Sequence, residues 1–416
     1  MHGATRWRRP DGKGEHRLRA TDRPPSGGRL RPDDIDWSIP HRVEYIARAT
    51  PPASDIRPWR WASAVPWAFV ATLAAVMLLT SSVADREVVA LRRIPYSVAW
   101  PRAVSATLPG SMPDGPLYQP MLFLDARSSV GTAPTARGDQ QRLLLRTPDG
   151  ADRELRRMPY AQSPQFTAFV ADADVVVWAE MGSQGTAELW TADLRTQAPA
   201  RLLTTATGNA IFTGSQYDLV ITGGRVYWAT EIDGAEPATQ IRSVALTGGP
   251  VDVRNERGSW SLTAWPWLVD GRNDQLPSTR MRNLHTGAEI QVATSSTELA
   301  TCSPSWCRIL VRSGDDLAGI ELMRPDGTGR RRIGGGAASS PVTDVAPLDR
   351  FAILAEPAAG TDTTGEQRLL VYDLATGGTV DLGAGVTGAA CRGGLLWWST
   401  GTDDHTQWHS VDLRTV

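Results

Sequence analysis

The sequence predicts an all-β chain of stacked four-stranded sheets, and three observations predict it. Beyond about residue 118 no helical period is sustained, and short runs of Val, Leu, Ile and Trp alternate with Gly, Asp and Thr. One unit recurs: an apolar strand, a polar turn of variable length, a second apolar strand closed by a tight turn, and a third strand that often carries Arg. Taking Leu124, Trp178, Trp228, Trp267, Leu310, Leu354 and Trp397 as marks, the steps are 54, 50, 39, 43, 44 and 43 residues. Steps of about 40–50 residues are those of a propeller blade. The reading is a seven-bladed β-propeller, or a six-bladed one if the first unit is irregular.

The chain before the repeats divides into three segments. Residues 1–60 are rich in Arg, Pro, Gly and Asp and carry a net charge of +5, against −7 for the rest of the 416 residues. Such a composition buries too little apolar surface to offset chain entropy, so a mostly disordered tail is expected, with a short amphipathic helix at 43–48. Residues 61–84 then run for 24 positions without a charge. At about 1.5 Å per residue this run crosses a hydrocarbon core of about 30 Å. Trp59, Trp61 and Trp67 stand where aromatic rings anchor at an interface. A single uncleaved transmembrane helix is expected, because the run begins too late and is too long for a signal peptide. The arginines of the tail favour a cytoplasmic N-terminus and an extracytoplasmic C-terminal domain. Membrane lipid is the partner expected for residues 61–84, and residues 85–97 read as a stalk.

Residues 98–416 form the expected propeller. Its second unit shows the pattern in Val175–Glu180, Glu188–Leu194 and Ala200–Thr204, its third in Arg225–Thr230 and Ile241–Leu246. A four-stranded blade cannot bury both faces alone, whereas neighbours around a closed ring cover them. Trp178, Trp228, Trp267 and Trp397 are therefore read as aromatics packed between blades. The last unit ends soon after Trp408–Leu413, so residues 98–108 are expected to supply its closing strand.

Two passages resemble a known family. Tyr227-Trp228-Ala229-Thr230 followed by Ile241–Leu246 is similar to the second and third strands of YWTD-type and TolB-like propellers. Trp397-Trp398-Ser399-Thr400 with His409–Leu413 is a second copy. The resemblance implies a propeller over residues 118–416. It also implies binding of proteins, peptides or carbohydrates, with enzymes a minority, and it fixes no catalytic residue.

The remaining chemistry is sparse. The net charge of −2 excludes a globally basic nucleic-acid binder, and three cysteines exclude a disulfide-dense scaffold. Cys302 and Cys307 enclose four residues, and on an exported domain a local disulfide is expected. Cys391 reads as a small buried residue. His405 and His409 flank a turn, so no shared metal is expected, and neither Asp315-Asp316 nor Asp403-Asp404 has a calcium-loop pattern. Gly334–Gly336 reads as a blade connection, and Arg330-Arg331-Arg332 as a solvated strand end or an anionic contact. No cofactor and no catalytic residue is assigned. The shortage of exported histidine favours a binding or scaffold module, more no enzyme than enzyme, that holds a protein, peptide or envelope ligand on one rim. The alternatives are a lyase or hydrolase acting on an envelope glycan or small molecule, and a transmembrane sensor.

Overall fold

The computed structural model describes residues 92–416, apart from 151, 183–184, 233, 271–277, 359–364 and 403–404. The tail, the helix expected at 43–48, the uncharged run at 61–84 and Asp403-Asp404 lie outside the described residues. Among the described residues no helix is long and apolar enough to cross a membrane.

Among the described residues six sheets follow one another along the chain. The first comprises Gln119–Phe123, Ser129–Pro134, Gln140–Arg146 and Asp152–Pro159, each antiparallel to the next. The second repeats this meander with Gln165–Ala171, Val175–Met181, Ala187–Asp193 and Arg201–Thr204. In the third, Asn209–Ala210 and Val220–Thr222 both pair with Arg225–Ile232, and Ala238–Ala245 and Asp252–Arg257 follow. The fourth runs from Ser261–Leu262 to Glu289–Gln291 and the fifth from Glu298–Cys302 to Arg331–Gly335.

The sixth sheet is larger. Its strand Gly378–Arg392 pairs with Gln367–Asp373 along its first part and with Leu395–Thr400 along its second, with register breaks on both sides. Ser105–Pro109 lies antiparallel to Gln407–Asp412, joining the two ends of the described chain. In the stretch read as a stalk, Arg93–Pro95 adds a short parallel strand against Thr379–Asp381, and Arg93 pairs with Glu356 at 2.6 Å.

The apolar clusters show why the sheets stack. Leu143 of the first sheet meets Val176 and Trp178 of the second, and Leu189 of the second meets Val226 and Trp228 of the third. Ile241 meets Leu268, Met281 meets Ile309, and Leu322 meets Leu354, carrying the contact on to the sixth sheet. Phe123 of the first sheet then packs with Trp397 and Trp408 of the sixth. The sequence of interfaces closes on itself, so the fold is propeller-like and each sheet buries both faces. Within the sixth sheet, Phe351, Leu369 and Val371 form one cluster with Leu396, Trp398 and Val411, so its two halves face one another.

Candidate active site

Residues singled out from the sequence are mostly structural. Trp178 and Trp228 are fully buried between sheets, and Trp228 Nε1 donates to the Thr207 carbonyl at 2.9 Å. Trp397 is buried against Phe123 with ring centroids 5.3 Å apart, and Trp267 is half-buried beside the cluster between the fourth and fifth sheets. Cys302 and Cys307 are joined by a disulfide across the hairpin in which they are paired. Cys391 is buried, and burial together with the charge of Asp344 pushes its thiol up, away from thiolate.

The histidines do not converge. His285 packs edge-on against Trp265, and His405 is exposed. His409 lies between the Thr107 and Thr400 hydroxyls, stacked on Trp398. The triple arginine is engaged throughout: Arg330 pairs with Glu298 and Glu321, Arg331 donates to the Leu374 carbonyl, and Arg332 to those of Gly334 and Ala318. Among the described residues no cluster of three or more His, Cys, Asp or Glu side chains is placed to hold a metal ion.

The chemistry that does converge comes from turns. A cavity of about 720 Å³ opens where hairpin turns of the first, second and sixth sheets meet the segment leading into Val220–Thr222. That volume is typical of small-molecule sites. Its walls are apolar, with Leu122, Leu124, Phe169, Val170, Leu219 and Ile221 among them. Its polar groups are Asp125, Asp172, Arg195, Gln216, Tyr217, Arg392 and Arg414, with Ser128 and Thr147.

Local backbone explains how these groups are held. In the turn after Gln119–Phe123, Asp125 Oδ1 accepts from the Arg127 and Ser128 amides at 2.6 and 2.7 Å, and Oδ2 from the Ser128 hydroxyl at 2.8 Å. Asp172 Oδ1 accepts from the Ala173 amide at 2.7 Å. Arg195 pairs with Asp174. Arg414 makes two bonds to Asp412, at 2.7 and 2.8 Å. In Gln165–Ala171 the register breaks between Thr167 and Val170, and Ala168 adopts a φ of 48°. A left-handed alanine costs about 1–2 kcal/mol. A bulge of this kind re-aims its neighbours, and here the Phe169 carbonyl meets Arg392.

Arg392 is the strut beneath the cavity. Its guanidinium donates to the carbonyls of Phe169 (3.3 Å), Ser215 (3.2 Å) and Gly214 (3.1 Å), while the Gly393 amide donates to Gln216 Oε1 at 2.9 Å. Burial lowers the basicity of Arg392, and Asp344 and Asp218 counter that effect. Asp344 accepts from the Ser215 hydroxyl at 2.6 Å and the Gln216 amide at 2.9 Å, yet burial holds its carboxyl above the usual range. Burial likewise pushes Asp218 up to about 6, although the Thr213 and Gly214 amides donate to it. Tyr217 sits on this braced segment, and burial, then the charges of Asp344 and Asp349, keeps its phenol protonated.

Sequence reasoning singled out none of these cavity residues as functional. Asp-Ala-Arg-Ser reads as an ordinary turn, and Arg392 is one of 42 arginines.

No family model matches the chain, and no curated protein does. Solved structures do. An oligogalacturonate lyase in complex with manganese is similar at 12% identity and a TM-score of 0.39, over 72% of this chain and 80% of that one. The β-propeller domain of the trilobed protease from Pyrococcus furiosus is similar at 11% identity and a TM-score of 0.41, over 68% and 89%. A puromycin-hydrolyzing peptidase from Mycobacterium tuberculosis is similar at 16% identity and a TM-score of 0.48, over 74% and 54%. This chain thus spans about half the length of that peptidase. The expectation of a binding scaffold, more no enzyme than enzyme, does not match what these neighbours are: a lyase, a peptidase and the propeller domain of a protease. At such identities the likeness is one of fold, so the chemistry has to be sought in the chain's own cavity.

Proposed function

We propose that the chain is a propeller enzyme, a hydrolase or lyase, whose substrate enters the cavity of about 720 Å³ lined by turns of the first, second and sixth sheets. The observation that supports this most is the convergence of two carboxylates, Asp125 and Asp172, with the phenol of Tyr217 on one concave surface. A carboxylate within reach of a substrate hydrogen or of a water takes a proton, and the Tyr217 hydroxyl lining the same cavity is a hydrogen-bond donor for a substrate oxygen. The guanidiniums of Arg195 and Arg414 at the same cavity stabilise negative charge that develops in such a step.

The test is turnover by the full chain on two panels, uronate oligomers and chromogenic amides and esters. Expected is product formation that falls by about 10²–10⁴ in Asp125→Asn or Asp172→Asn and persists in His409→Gln. No product from either panel, or turnover untouched in both aspartate variants, overturns the reading.

The finer architecture belongs to the same proposal. Seven blades is the count we adopt, supported by the facing halves of the sixth sheet and its doubly paired long strand. A YWTD-type or TolB-like blade is supported by Tyr227–Thr230 and Trp397–Thr400. Residues 61–84 form a single-pass anchor in membrane lipid, with residues 1–60 cytoplasmic and the propeller outside. The uncharged run and the +5 tail support this placement.

A further inference from the structure

We infer that Gln216 is a specificity-determining residue of the cavity, its side-chain NH2 a fixed donor to the substrate oxygen that gains negative charge. The inference deepens the enzymatic reading and rests on it for the charge that develops. The donor itself follows from geometry.

The first observation is that the backbone around Gln216 is held on every side. The Gly214 amide donates to Asp218, and the Gly214 carbonyl accepts from Arg392. The Ser215 carbonyl accepts from Arg392 and, at 3.2 Å, from the Asp218 amide. The Ser215 hydroxyl donates to Asp344 and accepts from the Tyr217 amide at 3.0 Å. The Gln216 amide donates to Asp344. The segment from Gly214 to Asp218 is thus pinned by two carboxylates and a guanidinium, and the place from which the Gln216 side chain starts is set.

The second observation lies in the side chain itself. A carboxamide has one accepting end and one donating end, and its partners decide which is which. Gln216 accepts from the Gly393 amide at 2.9 Å. A backbone N–H can only donate, so the oxygen is the end that is held and the NH2 is the other. Gly393 has a φ of 57°, a conformation glycine adopts without strain, which fixes the direction of that amide. Among the described residues none accepts from Gln216 Nε2, and Gln216 lines the cavity. The guanidiniums of the lining differ, since each is already bonded within the protein: Arg195 to Asp174, Arg414 to Asp412 and Arg392 to carbonyls. A neutral donor held in advance suits a carbonyl oxygen that is uncharged before the step and negative within it, because nothing has to reorganise as the charge appears.

The experiment compares the full wild-type chain with Gln216→Glu and Gln216→Met on the uronate, amide and ester panels, each rate taken relative to wild type at the same pH. Glutamate keeps an oxygen for the Gly393 amide and loses the donor. At pH 8 its kcat should fall by about 10²–10³, with the melting temperature held. Near pH 4 most of a carboxyl with an ordinary pKa of about 4.3 carries a proton and donates again, so the deficit should shrink at least about tenfold. Gln216→Met donates at neither pH, and its deficit should be the same at both. Wild-type kcat in Gln216→Met, or a deficit in Gln216→Glu that does not shrink on acidification, overturns the inference and leaves the enzymatic reading standing. Calorimetric titration with the same compounds covers a wild-type chain that turns none of them over. Affinity lost in Gln216→Glu at pH 8 and regained at pH 4 would then remove the enzymatic reading and keep Gln216 as a binding donor. Neither turnover nor binding would overturn both.

Discussion

Replacing Asp218 by asparagine isolates one charge beneath the cavity. Asp218 is 7% exposed and accepts from the Thr213 amide (3.0 and 2.9 Å), the Gly214 amide (2.8 Å) and the Thr213 hydroxyl (3.1 Å). Burial outweighs these donors and Arg392, and the carboxyl titrates at about 6. In the unfolded chain it titrates near 3.9. Between these values the folded state binds more protons than the unfolded state, so stability falls as pH rises. Across that window the loss is about 3 kcal/mol, and above about 6 it is constant. Asparagine keeps an acceptor for the Thr213 and Gly214 amides and cannot ionise. Relative to wild type, the Asp218→Asn protein should therefore gain about 2 kcal/mol between pH 4 and pH 7.5, the rest of the loss falling below pH 4. The difference between the two pH values cancels any fixed cost of placing an amide there. Urea unfolding of both proteins at a series of pH values measures it. A difference that stays flat, or one that shrinks as pH rises, would show that Asp218 is not a buried carboxyl held against its charge.

Other perturbations have defined outcomes. Trp228→Ala should cost about 3–5 kcal/mol, because the ring is fully buried between two sheets and its N–H is bonded to Thr207. Trp267→Ala, at a half-buried site, should cost less in the same urea titration. Arg392→Met should cost about 3–5 kcal/mol, since it removes three bonds to carbonyls and the larger of the two arginine charges acting on Asp344, leaving Arg308; stability near wild type would deny it the role of a strut. Replacing Cys302 and Cys307 together by serine should cost only about 2 kcal/mol, because the disulfide closes a loop with a sequence separation of 5. Thermal unfolding with and without reductant should give the same figure for the wild-type chain.

What the sequence reveals and what it hides follow from burial. A strand covered on both faces must be apolar at nearly every position, as in Phe351–Ala355, and five buried residues in a row leave a readable mark. The tryptophans at 178 and 228 are legible for the same reason, whereas Trp260, as deeply buried and bonded to the Arg257 carbonyl, stands outside an apolar run and carries no such mark. The cavity is illegible because its polar residues sit on separate turns. Asp125, Asp172 and Gln216 come from three successive sheets set side by side by stacking, and ring closure adds Arg392 and Arg414, an arrangement that no local spacing records. The turn at Leu348 carries no glycine or asparagine to announce its left-handed backbone. The scarcity of histidine carries the expectation of a scaffold, whereas acid–base chemistry also runs on carboxylates. Composition cannot place them.

The most direct measurement blocks the cavity itself. Ala171 lines it at the end of Gln165–Ala171, so Ala171→Trp puts an indole into the space where the substrate would lie. With the melting temperature verified and His409→Gln as the distant control, turnover of whichever panel compound wild type converts should drop below detection in Ala171→Trp. A folded Ala171→Trp protein with wild-type turnover would place the chemistry elsewhere.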